Sequence, residues 1–330
     1  MIKISTINWT VSSQTDWEDY SSISELATTQ GTLSKKFTDD FSSDPTSYLN
    51  VTQGSISYDS SNNEIDITDI TRVFVEGTHF QNVHVEADGG TTSNYIQNKL
   101  WARAQNLGTS SFRGLRGWQP YTRIEQSYFV DDTRTELYSG GNGPGTGNAS
   151  GTFIVEVYSN DDFLWDTSWS SNTVSQSTIT GQGYAGFGGA SGDYWNNITV
   201  YSLEESGTWT SQIWDSGESS EQEIDSLIIN STIGSNEKVE AKVYCYGDTG
   251  SLNAESNWIV LDGITDEDIS GDLSIDTSGF QYQVEFRLSN TDSDTTHSAT
   301  VNDYELNTVQ GLSYPDVSMD KVDNVDIVYS

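Results

Sequence analysis

Apolar and polar residues alternate with a period of two along almost the whole chain, and this pattern constrains the fold more than any other feature. Ile65/Ile67, Val73/Val75, Val83/Val85, Phe153/Val155/Val157 and Val239/Ala241/Val243 all alternate with polar neighbours. Successive side chains of extended backbone point to opposite faces, so each run predicts a strand with one buried side. Helical spacing is confined to one turn beginning Asp16-Trp17-Glu18-Asp19-Tyr20 and running to Leu26, with acids where the helix dipole favours them. Breakers such as Asp59-Ser-Ser-Asn-Asn63, Asp88-Gly-Gly90 and the glycine-rich loop from Ser139 to Gly151 punctuate the runs. Short strands separated by turn chemistry predict an all-β fold of two consecutive β-sandwich domains with short terminal arms. The expected divisions are an N-terminal docking arm at 1–36, sandwiches at 37–204 and 207–310, and a C-terminal arm at 311–330.

Charge narrows the function classes. The 330 residues carry 14 Lys+Arg against 49 Asp+Glu, a formal net charge of −35. Such a field repels phosphate, so a nucleic-acid partner is excluded, as is an anionic membrane surface. No stretch approaches 18 apolar residues, so no membrane insertion is expected. Ten Trp, 17 Tyr and 11 Phe exclude a disordered acidic tail. Because the Debye length shrinks from about 10 Å at 0.1 M salt to about 3 Å at 1 M, this charge excess reads as adaptation to molar salt, a halophilic protein. The single cysteine, Cys245, lies in an alternating run and excludes disulfide frameworks and thiolate metal sites; a packed strand position is expected for it. The amino terminus, MIKISTINWTVSSQ, shows no apolar core of a signal peptide, so cytoplasmic synthesis is expected.

Two sets of strand motifs carry family resemblances. The opening FTDDFSSDPTSYLNVTQGSISYDSSNNEIDIT, the core strand HFQNVHVEAD and the closing GQGYAGFGGASGDYWNNITVYSL resemble the concanavalin A/laminin-G type of jelly-roll over residues 37–203. GTWTSQIWDSGE, IDSLIINSTIGSNEKVEAKVYCY and FQYQVEFRLSNTDSDTTHSATVNDYEL resemble a β-sandwich module of tail and fibre proteins of tailed viruses over 207–308. With the halophilic composition, the resemblance implies a virion structural protein of a tailed virus of halophilic archaea: tail tip, baseplate or fibre, contributing to host attachment. It would assemble in the host cytoplasm and partner other virion proteins, copies of itself and a host surface glycan or glycoprotein. A capsid turret or decoration protein is the alternative.

Candidate sites are few. Glu64-Ile65-Asp66-Ile67-Thr68-Asp69 approaches the Glu-x-Asp-x-x-Glu signature of jelly-roll glycoside hydrolases, in which paired carboxylates do the chemistry. Glu64 and Asp66 share a strand face, but Asp69 falls on the other, so a solvated acidic face is the expectation and a glycan-cleaving enzyme the alternative. His79 and His84 are five apart on opposite faces, unsuited to one zinc. No cofactor is expected; calcium at Asp266-Glu267-Asp268, Asp272, Asp276 or Asp292/Asp294 stays open, although none has EF-hand spacing. One segment departs from the acidic background. From Gly89 to Val130 the cations Lys99, Arg103, Arg113, Arg116 and Arg123 meet Glu125 as the sole acid, interleaved with Trp101, Phe112, Trp118, Tyr121 and Tyr128. Rings stack on sugars and guanidinium forks pair with carboxylate or sulfate. Trp101, Arg103, Arg113, Arg116, Trp118, Tyr121 and Arg123 are therefore expected to form one glycan- or partner-binding surface, with Trp101, Arg103 and Gln105 on one strand face; internal ion pairs, with Asp131-Asp132 or Asp161-Asp162 as partners, are the alternative.

Overall fold

The computed structural model describes residues 6–290 and 299–310. The anticipated C-terminal arm at 311–330 and the Asp292/Asp294 pair lie outside these residues. Alternation governs the local structure: the regular structure among the described residues is nearly all antiparallel strand, arranged as two β-sandwiches.

In the first sandwich, a front sheet orders Thr133–Gly140, Ile124–Val130, Arg113–Trp118, Lys99–Gln105, Tyr184–Gly188, Arg72–Val75 and Leu49–Gln53. The back sheet orders Ser171–Ser175, Asp162–Thr167, Ala149–Val157, Val83–Thr91, Asp193–Trp195, Glu64–Ile67 and Ile56–Asp59, with Ile198–Ser202 bridging Val83–Thr91 to Lys36–Asp39. The alternating residues meet between the sheets: Ile65, Ile67, Val73, Val75, Val83, Val85, Phe153, Val155 and Val157 share one core with Trp165, Phe187 and Trp195. Gly117 is required there, because a Cβ would stand 2.2 Å from the Trp165 ring. Each such aliphatic or aromatic side chain, fully buried, contributes roughly 1.5–3 kcal/mol.

The second sandwich corrects the expected division of the chain. Residues 6–34 are not a separate docking arm. Thr6–Val11 pairs along Thr300–Gln310, and Tyr20–Ser24 pairs with Ser206–Ser211. The second core draws Val11, Trp17, Ile23, Leu26 and Leu33 into contact with Trp209, Val239, Ala241, Val243, Cys245, Phe286 and Tyr304. The first sandwich is therefore an insertion between the strands Leu33–Ser34 and Ser206–Ser211 of the second. Cys245 is fully buried in that core, and burial pushes its thiol up to about 12.

The helix also differs from expectation. It spans Gln14–Glu18, one residue past the Ser13 cap, whose hydroxyl and the Asp16 carboxylate form a reciprocal capping box. It stops well short of Leu26 because Tyr20–Ser24 is captured as a strand. Its purpose in the fold is Trp17, which packs 5.0 Å edge-on against Trp209 and accepts that indole's N–H at its carbonyl, 3.0 Å.

A polar seam joins the sandwiches. Leu26–Ala27 of the second pairs with Thr78–His79 of the first. Buried Glu25, in left-handed backbone (φ 57°), accepts from Gln81 N, Asn82 N and the Ser202 hydroxyl. Burial raises its pKa. Lys35, buried alongside, donates to the Glu204 carbonyl and is pushed down to about 8 by desolvation.

Candidate functional site

The outward row of the front sheet collects the cations and rings. In the strand Lys99–Gln105, Leu100 and Ala102 enter the core, which turns Lys99 and Trp101 outward. Register then does the assembling: Trp101 lies opposite Arg116, Lys99 opposite Trp118, Trp118 opposite Glu125, and Phe129 opposite Arg134. On the other side, Trp101 faces Gly186, which faces Phe74. Gly186 carries no side chain between the two rings, whose centroids lie 6.0 Å apart; a Cβ there would meet the Val73 carbonyl at 2.1 Å.

Trp101, Phe74, Ala104, Phe112 and Phe129 thus form a small third apolar cluster on the outside of the sheet. Guanidinium groups roof it. Arg72 lies over the rings of Phe112 (4.7 Å), Phe129 (5.1 Å) and Trp101 (5.4 Å), and pairs with Asp132 at 2.6 Å. Arg116 lies 4.9 Å from the Trp118 ring and pairs with buried Glu125 at 3.0 Å. Glu125 also receives Arg134, and Arg123 stands 3.7 Å away. Arg134 makes a second pair with Glu136. Arg72, Lys99, Arg116 and Arg134, with Trp101, Phe129, Gln53, Ile70 and Thr71, line a cavity of about 170 Å³. Burial lowers Lys99 to about 8, and the neighbouring Arg116 and Arg72 add to the shift. Burial likewise lowers Arg116, against the opposing pull of Glu125; a guanidinium remains charged regardless.

The expected surface is therefore only partly assembled. Trp101, Arg116 and Trp118 converge, with Arg123 at the exposed rim. Arg113 stands apart, its guanidinium donating to the Thr178 carbonyl at 2.9 Å. Tyr121 is an exposed loop residue whose ring lies 4.8 Å from that of Tyr95. Arg103 must be corrected: it is not on this face at all. The register breaks between Ala102 and Gln105, and Arg103 adopts φ 48°, so the period of two slips by one and Ala104 takes the outward place. The guanidinium is fully buried, donating to the carbonyls of Gln81, Tyr158 and Ile179, to Asn82 and to Asp161.

Sequence reasoning missed Arg72, Lys99 as a site residue, and Arg134. Arg72 and Arg134 fall outside the 89–130 window, and only strand register brings them to Trp101. The alternation Arg72-Val73-Phe74-Val75 was the available signal, because it places Arg72 and Phe74 outward as surely as Val73 and Val75 inward.

The carboxylate candidates lie elsewhere. Glu64 and Asp66 stand on the outer side of the back sheet; with Asp59 they are the one group of three acids among the described residues whose oxygens lie within 4.8 Å of one another. Burial and mutual repulsion raise Glu64, and burial and Asp59 raise Asp66. Three of the acids considered for calcium accept backbone N–H groups: Glu267 from Asp262, Asp268 from Leu227 and Ser270, and Asp276 from Ser278. No helix among the described residues is long and apolar enough to cross a membrane.

No protein-family model matches the chain, and no curated protein matches it. Solved structures similar to parts of it include the carbohydrate-binding module CBM66 from Bacillus subtilis, 11% identical with a TM-score of 0.37 over 47% of this chain and 92% of that one. Bacillus licheniformis β-glucanase matches at 11% identity and 0.37 over 51% and 98%. The exoplasmic/lumenal domain of VIP36 in its Ca2+/Man2-bound form matches at 12% and 0.39 over 51% and 88%. Likeness this loose carries no conclusion about binding or activity, and the β-sandwich assignment rests on the sheets themselves.

Proposed function

We propose that the chain is a non-enzymatic virion protein of a tailed virus of halophilic archaea, placed at the tail tip, baseplate or fibre, and that the front face of its first sandwich contacts a host surface glycan or glycoprotein. One observation carries the recognition part: four cations and an aromatic cluster converge on a single cavity in a chain of net charge −35. Dispersed Lys and Arg would offset the acidic field better; concentrating them at one cavity serves a ligand. The virion setting is supported by the halophilic charge excess and by the tail-type strand motifs of residues 207–308. Glu64 and Asp66, the residues an enzyme would use, lie on the opposite sheet and do not line the cavity.

Location is the test. Antibodies against the first sandwich should label the tails of halophilic viruses whose genomes encode the chain. Labelling around the head would transfer it to a turret or decoration role, and its absence from particles would end the virion reading. Glycan turnover that disappears in Glu64→Gln would restore the enzyme.

A further inference from the structure

The front-face cavity holds polar hydrogens that the protein leaves unused. Trp101 is 1% exposed and Arg116 8%; Trp101 Nε1 and Arg116 Nε are buried with no acceptor, and so is Nε1 of neighbouring Trp118. Buried donors are nearly always paired, and two of these three, Trp101 Nε1 and Arg116 Nε, belong to residues that line the cavity, where an acceptor from outside the chain could reach them. Lys99 adds to the demand. Its ammonium has three protons, is almost wholly buried, and is given one acceptor, the Gly189 carbonyl at 3.2 Å. Among the described residues it forms no ion pair, although Arg72, Arg116 and Arg134, the other three cations lining the cavity, each do. The nearby acids are engaged elsewhere. Glu125 pairs with Arg116 and Arg134 through one oxygen, while its other oxygen, Oε2, is buried with only Arg123 at 3.7 Å and no hydrogen bond; Asp132 is bound to Arg72. Asp193 accepts from the backbone of Ala190 and Gln97.

We propose that this cavity binds one oxyanion group, a carboxylate or sulfate, carried by an acidic sugar. The oxyanion takes its charge partners from Lys99 and Arg134 and its hydrogen bonds from Trp101 and Arg116, and the sugar ring lies toward half-buried Trp118. The inference rests on reading the front face as a recognition surface, and it specifies the class of ligand. The volume suits it: about 170 Å³ leaves room for an oxyanion group and part of a pyranose. The donor set suits it too, because indole and guanidinium N–H groups donate without accepting and so favour an acceptor-only group over a neutral hydroxyl. The Phe129 and Trp101 rings complete an apolar wall against which sugar C–H edges pack.

The full chain should be titrated, in about 2 M KCl to hold the fold, with glucuronate, glucose 6-sulfate, glucose, inorganic sulfate and N-acetylglutamate, with binding read by saturation-transfer NMR. Both acidic sugars should bind and glucose should not. Lys99→Met, which keeps the side-chain volume, should weaken the acidic sugars about tenfold or more, with the melting temperature unchanged or raised. Arg134→Met should weaken the acidic sugars likewise without touching a buried ammonium; because Arg134 also pairs with buried Glu125, its melting curve is recorded beside the binding, and only variants that remain folded are compared. Glucose binding as tightly as glucuronate, or neither acidic sugar binding, would overturn the proposal. Inorganic sulfate matching glucose 6-sulfate would reduce the site to an ion site and remove the sugar, while tighter binding of N-acetylglutamate would give it to a protein partner. The two readings fail separately. Acidic-sugar binding by a chain absent from virions leaves this site and removes the viral setting. Virion location with host binding that survives Lys99→Met and Arg134→Met leaves the setting and removes this site.

Discussion

Replacing Arg103 with methionine should destabilise the protein by about 3–5 kcal/mol, the range for removing one partner of a buried charged network. The guanidinium is 0% exposed and organises five acceptors, of which Asp161 lies at 2.8 Å and the Ile179 carbonyl at 2.9 Å. Asp161 keeps a side-chain exposure of 31% and would recover water when its partner leaves, which argues for the lower part of the range. The carbonyls of Gln81, Tyr158 and Ile179 recover less, and each buried acceptor left empty costs about 1–3 kcal/mol, not additively. A further connection raises the stakes. Asn82, which receives Arg103 at its Oδ1, gives its side-chain N–H to Glu204 and its backbone N–H to Glu25, so the network continues into the seam between the sandwiches. At about 2–4 °C per kcal/mol for a domain of this size, the melting temperature should fall by about 10 °C. Tryptophan fluorescence during heating of the full chain in about 2 M KCl is a suitable assay. Two controls sharpen it. Arg123→Ala, at an exposed position, should stay within about 0.5 kcal/mol of the parent. Arg103→Lys should rescue little, because a point ammonium cannot reach acceptors arranged around a planar fork. An Arg103→Met protein melting within about 2 °C of the parent would refute the reasoning and return this residue to the contact surface.

Melting temperature should climb steeply between about 0.1 and 2 M KCl as the repulsion among 49 acids is screened, and a flat profile, with choline chloride as control for specific cation binding, would remove the halophilic reading. A fragment of residues 36–203 should unfold cooperatively on its own, whereas residues 206–310 should not fold without Val11, Trp17 and Ile23; a folded 206–310 fragment would contradict the shared second core. His79, pushed down to about 4 by burial, should titrate by NMR near that value, and a midpoint near 6.5 would count against its burial. Because the unfolded chain takes up this proton first, His79 lowers stability as the pH falls from 6.5 toward 4. Asp193, raised by burial to about 6, acts in the opposite sense between 6 and 3.8, so the effect of His79 is cleanest as a difference from His79→Gln.

Alternation along the chain is enough to assign most of the inward-facing residues. The alternating sets Ile65/Ile67, Phe153/Val155/Val157 and Val239/Ala241/Val243 are all core, and Cys245 is a packed strand residue, because the pleat ties side-chain direction to position within a strand. The same rule misplaced Arg103, where one residue in left-handed backbone reverses the parity of the residues after it, and nothing in Leu100-Trp-Ala-Arg-Ala-Gln105 announces that bulge. Pairing partners were equally out of reach. Thr6–Val11 reads as part of an arm because its partner, Thr300–Gln310, lies nearly three hundred residues away. Arg72 and Arg134 stand outside the basic segment until register sets them beside Trp101 and Phe129. The physical reason is common to both cases. Closing a loop costs only about 0.6 kcal/mol more for each doubling of its length, so separation along the chain scarcely restricts which strands meet. The burial of complementary faces decides that, and it is a property of the folded whole.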